Sequence, residues 1–172
     1  TYARTKLAGE AAVTEAYPAA LIARVNFYGW SASGQRSLAE FFYTRLRAEQ
    51  TVNGFTDVFF SPLYVNHLAQ LLLLMVEKGL SGLYHVFSPQ ATSKYAFGVS
   101  LARQFELDES LINPVSFADA GLSTPRPLNL SMNTDKLQAE LDAPLPSEQE
   151  GLQALYADAL AGLPDKLVAY LA

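Results

Sequence analysis

Tyr2 and Lys6 stand four residues apart in the opening stretch "TYARTKLAGE". On a helix, residues i and i+4 share one face, so a phenol and an ammonium here point the same way. A neighbouring cation stabilises phenolate over phenol. A phenol so placed can hand a proton to a carbonyl oxygen as hydride reaches the carbon, or take the proton back in the reverse direction. The ammonium can also hydrogen-bond a ribose hydroxyl. The spacing alone is cheap. With nine tyrosines and five lysines in 172 residues, a bare Y-x-x-x-K is roughly a one-in-four accident. The bland alternative is a surface pair on a first helical turn, and the elements around the pair decide between the two.

Residues 3–17 are rich in Ala, Leu and Glu and read as a helix stopped by Pro18. Ala3, Ala8, Gly9, Ala11, Ala12 and Ala16 make it small-sided, which suits close approach of a neighbouring helix. "AALIARVNFYG" reads as a short buried strand entering a Gly-containing loop, "GWSASGQRS". Ser37 is placed to cap a helix through about Glu49, with Glu40 completing a capping box. "TVNGFTDVFFSP" predicts one or two short strands, and its aromatics read as core. A helix over Tyr64–Lys78 ends at Gly79, and "GLYHVFS" is a compact strand. Ser93 caps a helix to roughly Phe105, "NPVSFAD" suits a short strand, and the chain turns helical again near Asn133. Residues 147–161 and 164–171 read as terminal helices. Helices alternating with short strands give an α/β class.

The bulk composition narrows the function. Half of the residues are hydrophobic and 17% are charged, as in a globular domain. The formal net charge of −5, with no Lys/Arg cluster, argues against a nucleic-acid partner. The run Leu71–Val76 is far shorter than a membrane span needs, so no membrane partner is expected. No cysteine is present, which excludes disulfides, thiolate metal sites and cysteine nucleophiles and suits a reducing cytoplasm. His67 and His85 have no Cys or clustered acid at ligand spacing, so no metal is expected. No G-x-S-x-G, no G-x-G-x-x-G and no Walker sequence occurs.

The context of the Tyr–Lys pair is more specific than the pair. "YARTKLAGE" is followed about fifteen residues later by "ARVNFYG". These stretches resemble the extended short-chain dehydrogenase/reductases. In that family the active-site helix carries a Y-x-x-x-K-x-x-x-E-like sequence and the next strand an R-x-x-N/S-x-x-Y-G pattern. Arg24, Asn26, Phe27, Tyr28 and Gly29 fall on that strand and loop. "FFSPLYVNHLAQLLLLMVEKGLSGLYHV" is similar to the family's P-T-x-x-x-D-L-A segment, apolar helix and G-x-Y-H strand. "STPRPLNLSMNTDKL" is similar to the R-P-x-n-S-x-L-x-x-x-K-L tail of the dTDP-4-dehydrorhamnose reductase branch, with Arg126, Pro127, Asn129, Ser131 and Lys136 on it. The resemblance runs to about residue 160.

The resemblance implies the C-terminal part of a Rossmann-type NAD(P)-binding fold joined to a small α/β substrate-binding lobe. Residues 1–35 would end the dinucleotide-binding fold and carry the active-site helix. Residues 36–172 would be mainly the substrate lobe, with returning elements of the Rossmann fold. It implies an NAD(P)-dependent reductase acting on a nucleotide-sugar ketone, with Tyr2 as general acid. Lys6 would hold the nicotinamide ribose with Tyr2, and Asn26 would face cofactor and sugar. Phe27 and Tyr28 would line the sugar pocket, and Arg126 would contact the diphosphate, which suits a planar bidentate donor. The residues also permit a related epimerase or dehydratase, or a non-catalytic sugar-nucleotide-binding or regulatory module. The chain departs from the family pattern in lacking the Gly-rich dinucleotide turn and the Ser/Thr upstream of the tyrosine, and Phe27 stands where the family often has Trp. These departures imply a piece of a longer enzyme, inactive alone, with helix 3–17 free to pair with a second copy.

Overall fold

Helix α1 (Tyr2–Ala16) turns at Pro18 and runs back as strand β1 (Leu21–Val25). The computed structural model describes residues 2–121 and 127–170. An ion pair ties α1 to β1: Arg24 Nε and Nη2 donate to the two carboxylate oxygens of Glu10 at 2.8 and 2.7 Å. None of the residues of α1 is buried.

The apolar stretch expected as one buried strand differs in two ways. It breaks at Asn26, whose carbonyl accepts from Leu63 N at 3.0 Å. The piece beyond the break is β2 (Phe27–Tyr28). Nor is β1 buried: Leu21–Arg24 are half-covered and Val25 is exposed. The small side chains of α1 leave it thinly covered.

The remaining elements follow the sequence pattern. Helix α2 (Leu38–Arg47) starts at the Ser37/Glu40 capping box. Strands β3 (Val52–Phe55), β4 (Phe59–Phe60) and β5 (Leu63–Tyr64) lead into α3 (Val65–Glu77). Gly79, at φ +67°, ends that turn where a side chain would be strained. Strand β6 (Gly82–Val86) and the two-residue β7 (Thr92–Ser93) precede α4 (Lys94–Gln104), capped by Ser93. Strands β8 (Ile112–Val115) and β9 (Asn129–Leu130) and helices α5 (Asp135–Leu141), α6 (Glu148–Leu160) and α7 (Leu163–Ala169) complete the order. The two-residue strands β5, β7 and β9 depart from the expectation, being too short to show a period, and β5 takes Tyr64 from the start of the expected helix.

The sheets are small and mostly parallel. β1 pairs with β6, β2 with β5 and β3 with β8, while β4 lies between antiparallel β7 and parallel β9. Asn26 is thus a switch point, at which the chain leaves one partner strand for another. Two buried clusters flank it. One gathers Tyr28, Phe42, Phe60, Tyr64, Phe97 and Leu155 between α2, α4 and α6. The other gathers Leu63, Leu71, Met75, Tyr84, Val86 and Leu137 between α3, β6 and α5. Leu63 and Tyr64 are neighbours in β5 yet enter different clusters, because successive strand side chains point to opposite faces. Among the described residues no helix is long and apolar enough to cross a membrane.

Candidate functional site

Register along the α1–β1 hairpin sets the site. Glu10 and Arg24 are level, since they pair. A helix rises ~1.5 Å and a strand ~3.3 Å per residue. Lys6 and Tyr2, one and two turns toward the helix start, therefore project toward the carboxyl end of β1. Ligands of open α/β sheets bind outside the carboxyl ends of the strands, where strand order changes.

At that end the Lys6 ammonium stands over the Tyr2 ring, 5.6 Å from its centroid. Tyr2 is 77% exposed, so its hydroxyl is open to an incoming molecule. Thr5 Oγ1 donates to Tyr2 O at 2.8 Å and steadies the first turn. Asn26 is half-buried, its backbone pinned to Leu63 and its side chain left for other work. Phe27 is 53% exposed and presents an apolar face beside it.

Tyr28 goes the other way. It is 1% exposed, edge-on to Phe97 at 5.0 Å between centroids, and lies against Gly151. Burial pushes its phenol well above the ordinary tyrosine range. The structure puts this side chain in the core, not on a pocket wall: alternation along β2 exposes Phe27 and sends Tyr28 inward. Arg126 lies outside the described residues. Of the six sequence candidates, Tyr2 and Lys6 meet on one helical turn, Asn26 and Phe27 follow the end of β1, and Tyr28 lies in the core.

Two features escaped the sequence reading. Glu40 does more than cap α2, since it also bonds the loop after β2. A cleft of about 580 Å³ opens between α2 and β3, walled by Phe41, Phe42 and Phe55 and edged by Arg45, Asn53 and Lys94. Lys94 Nζ lies 5.9 Å from the Phe55 ring centroid, and Arg45 Nη1 donates to Gln50 at 3.0 Å. The available signal was Phe41 and Arg45 at i, i+4 on one helix face. Further off, Tyr64 Oη donates to Asp158, and Asn66 Nδ2 donates to the same carboxylate oxygen at 2.8 Å. Burial and that bond push the Tyr64 phenol up, which suits a structural tie between β5 and α6. Among the described residues no three His, Cys, Asp or Glu side chains gather as a metal site would require.

A nicotinamide cofactor is implied by the family resemblance, and the residues present fit part of it. An exposed phenol and an ammonium on one helical turn can hydrogen-bond a ribose. The sequence carries no G-x-G-x-x-G for a pyrophosphate.

Comparison with known proteins agrees with this architecture. The family described as RmlD substrate binding domain matches residues 1–161. The protein named "Probable low-salt glycan biosynthesis reductase Agl14" of Haloferax volcanii is 31% identical over 160 residues, covering 91% of this chain and 53% of that protein. A dTDP-4-dehydrorhamnose reductase of Mycobacterium tuberculosis is 32% identical over 127 residues, 73% of this chain and 41% of that one. A methionine adenosyltransferase 2 subunit beta of Xenopus tropicalis is 28% identical over 146 residues, 80% of this chain and 43% of that one. The crystal structure of dTDP-4-dehydrorhamnose reductase from Bacillus anthracis in complex with NADP superposes with a TM-score of 0.72. It shares 21% identity, over 80% of this chain and 48% of that one. The chain spans about half the length of the curated relatives it matches. With the Rossmann-type α/β architecture shared and nearly the whole length matched, the chain belongs to the RmlD substrate binding domain family.

Proposed function

We propose that the chain carries the general acid and the substrate lobe of an NAD(P)-dependent reductase that acts on a nucleotide-sugar ketone of the dTDP-4-dehydrorhamnose type. The observation that carries this reading is the Lys6 ammonium over the exposed Tyr2 ring, on the helix that leads into β1. A reduced nicotinamide, when bound, would supply hydride to the carbonyl carbon. Tyr2 gives its hydroxyl proton to the carbonyl oxygen, and the ketone becomes an alcohol. Lys6 stabilises the phenolate left behind and hydrogen-bonds the ribose. Asn26 orients the cofactor and sugar from the strand end, and Phe27 gives the sugar an apolar wall. The cleft of Phe41, Phe55, Arg45 and Lys94 suits an aromatic base with a nearby anion. Arg126 supplies a bidentate donor to the diphosphate.

The test is Tyr2→Phe in the natural full-length protein, assayed for nucleotide-sugar reduction. The expected loss in kcat is about 10²–10⁴-fold, the usual worth of a positioned general acid, with the melting temperature unchanged. Unchanged turnover would sink the reading. The likeness to a methionine adenosyltransferase subunit favours a second reading, a non-catalytic binding or regulatory module. In that case the wild-type protein shows no turnover and Tyr2→Phe leaves partner binding intact.

A further inference from the structure

Glu40 is 1% exposed, yet it is a carboxylate. Its charge is met by N–H and O–H groups of one loop, residues 29–37. Oε1 accepts from Ser31 N at 2.5 Å and from Ser31 Oγ at 2.9 Å. Oε2 accepts from Ser31 Oγ at 2.9 Å, Arg36 N at 2.8 Å and Ser37 N at 3.0 Å. Ser37 Oγ closes the neck of the loop by donating to Gly29 O at 2.7 Å. A capping box needs only the bond to Ser37 N. The bonds to Ser31 and Arg36 reach across the loop and serve no helix.

Within the loop, Gly34 N donates to Ser31 O at 3.0 Å and the Ser31 and Ser33 hydroxyls lie 3.4 Å apart. Its tip, Ser33, Gln35 and Arg36, is exposed, and Gly34 sits at φ +66°. Trp30 anchors one end, with Nε1 donating to Leu155 O at 3.1 Å. The Glu40 carboxylate ties both sides of the loop, Ser31 and Arg36, to α2. The loop leaves the carboxyl end of β2, and the carboxyl ends of strands are where ligands of open α/β sheets bind.

We propose that Glu40 is a positioning residue: its buried carboxylate holds loop 29–37 in the shape that receives the substrate. The proposal rests on the reductase reading. Glu40 touches no reacting atom and acts through Ser31 and Arg36. Glu40→Gln keeps the volume but turns one acceptor into a donor, so Ser31 or Arg36 loses its partner.

The experiment is Glu40→Gln in the full-length protein, read two ways. Hydrogen exchange of residues 30–37 should quicken by about tenfold or more, as expected for losing charge-assisted bonds, while the amides of α4 keep their protection. With a dTDP-4-keto sugar as probe, KM should rise by about tenfold while kcat stays within about threefold. A purely structural cap moves neither the loop tip nor KM. If Glu40→Gln does not fold, Ser31→Ala removes the hydroxyl alone, and the same two readouts should move by a few-fold. Unchanged exchange in 30–37 overturns the proposal, and so does a looser loop with unchanged KM. If the wild-type protein shows no reduction at all, the reductase reading and the substrate part of the proposal fall together, while the exchange arm still decides whether Glu40 holds the loop.

Discussion

Helices α1 and α4 carry similar apolar material to opposite ends. The fifteen residues of α1 bury nothing. The eleven of α4 bury Phe97, Gly98, Leu101 and Ala102. The difference lies in what faces them. Around α4, the rings of Tyr28, Phe42 and Phe60 and the side chains of α6 fill the space. Gly98 lets Phe42 come so close that a Cβ would meet its ring at 2.7 Å. A Cβ added at Gly9 of α1 would meet nothing within 4 Å from other parts of the described residues. A small residue in an apolar helix invites close packing, but the invitation stabilises the helix only where a neighbour takes it up. In α1 the Glu10–Arg24 ion pair ties the helix to β1, and a 15-residue helix is marginal without tertiary packing.

The largest expected contrast is between Phe97→Ala and Leu7→Ala. Phe97 is fully enclosed, whereas Leu7 is 60% exposed. Truncating Phe97 should cost about 3–5 kcal/mol, and truncating Leu7 should change stability by no more than about 0.5 kcal/mol. Urea unfolding of the chain measures both. A Leu7 effect that rivals that of Phe97 would mean that α1 is packed by a partner, such as a second copy, and the comparison would break.

A smaller contrast uses one substitution in two places. At Gly151 an added Cβ would lie 2.3 Å from Tyr28 Oη and 3.2 Å from Tyr64 Cβ. Tyr28 and Tyr64 are both buried and cannot swing away, so Gly151→Ala should cost about 1–3 kcal/mol. Gly9→Ala meets open space and removes backbone freedom from the unfolded chain. It should stabilise by about 0.5–1 kcal/mol. Opposite signs in thermal unfolding sharpen the comparison. A loss at Gly9 would show that a surface closes over α1 in solution.

These contrasts also show what could be read from the residues. Helices with capping boxes were legible because Ser37/Glu40 and Ser147/Glu150 state their starts locally. Tyr2 and Lys6 were legible as a pair because helical spacing alone puts them on one face. The break at Asn26 was not, since the two halves of "LIARVNFY" differ only in partner strand, and a partner is not a local property. Tyr28 was ambiguous for the same reason: a one-residue register decides whether a strand side chain faces core or solvent. Glu40 was visible as a cap, but its bonds to Ser31 and Arg36 depend on how the loop folds back, which no spacing encodes.

The smallest contrast is in pH dependence, where sign rather than size is the readout. Glu148, at the start of α6, is pushed above the ordinary glutamate range by burial, although bonds from Ser100 and Thr92 oppose the shift. Glu10 is held below that range by its hydrogen bond with Arg24. A carboxyl raised in the folded state contributes stability that is fully present below the unfolded pKa and lost as pH rises through the folded one. Glu148→Gln should therefore gain on the wild type as pH climbs past the ordinary glutamate value. A carboxyl lowered in the folded state contributes stability present above the unfolded pKa and lost as pH falls through the folded one. Glu10→Gln should therefore lose most at neutral pH and draw level with the wild type in acid. Salt should shrink the Glu10 difference, since that pair is screened at the surface, and should leave the Glu148 difference nearly intact. Melting temperatures from pH 3 to 8 at two salt concentrations read both. Two curves of the same sign would mean that Glu10 is desolvated as Glu148 is, which requires α1 to be covered after all.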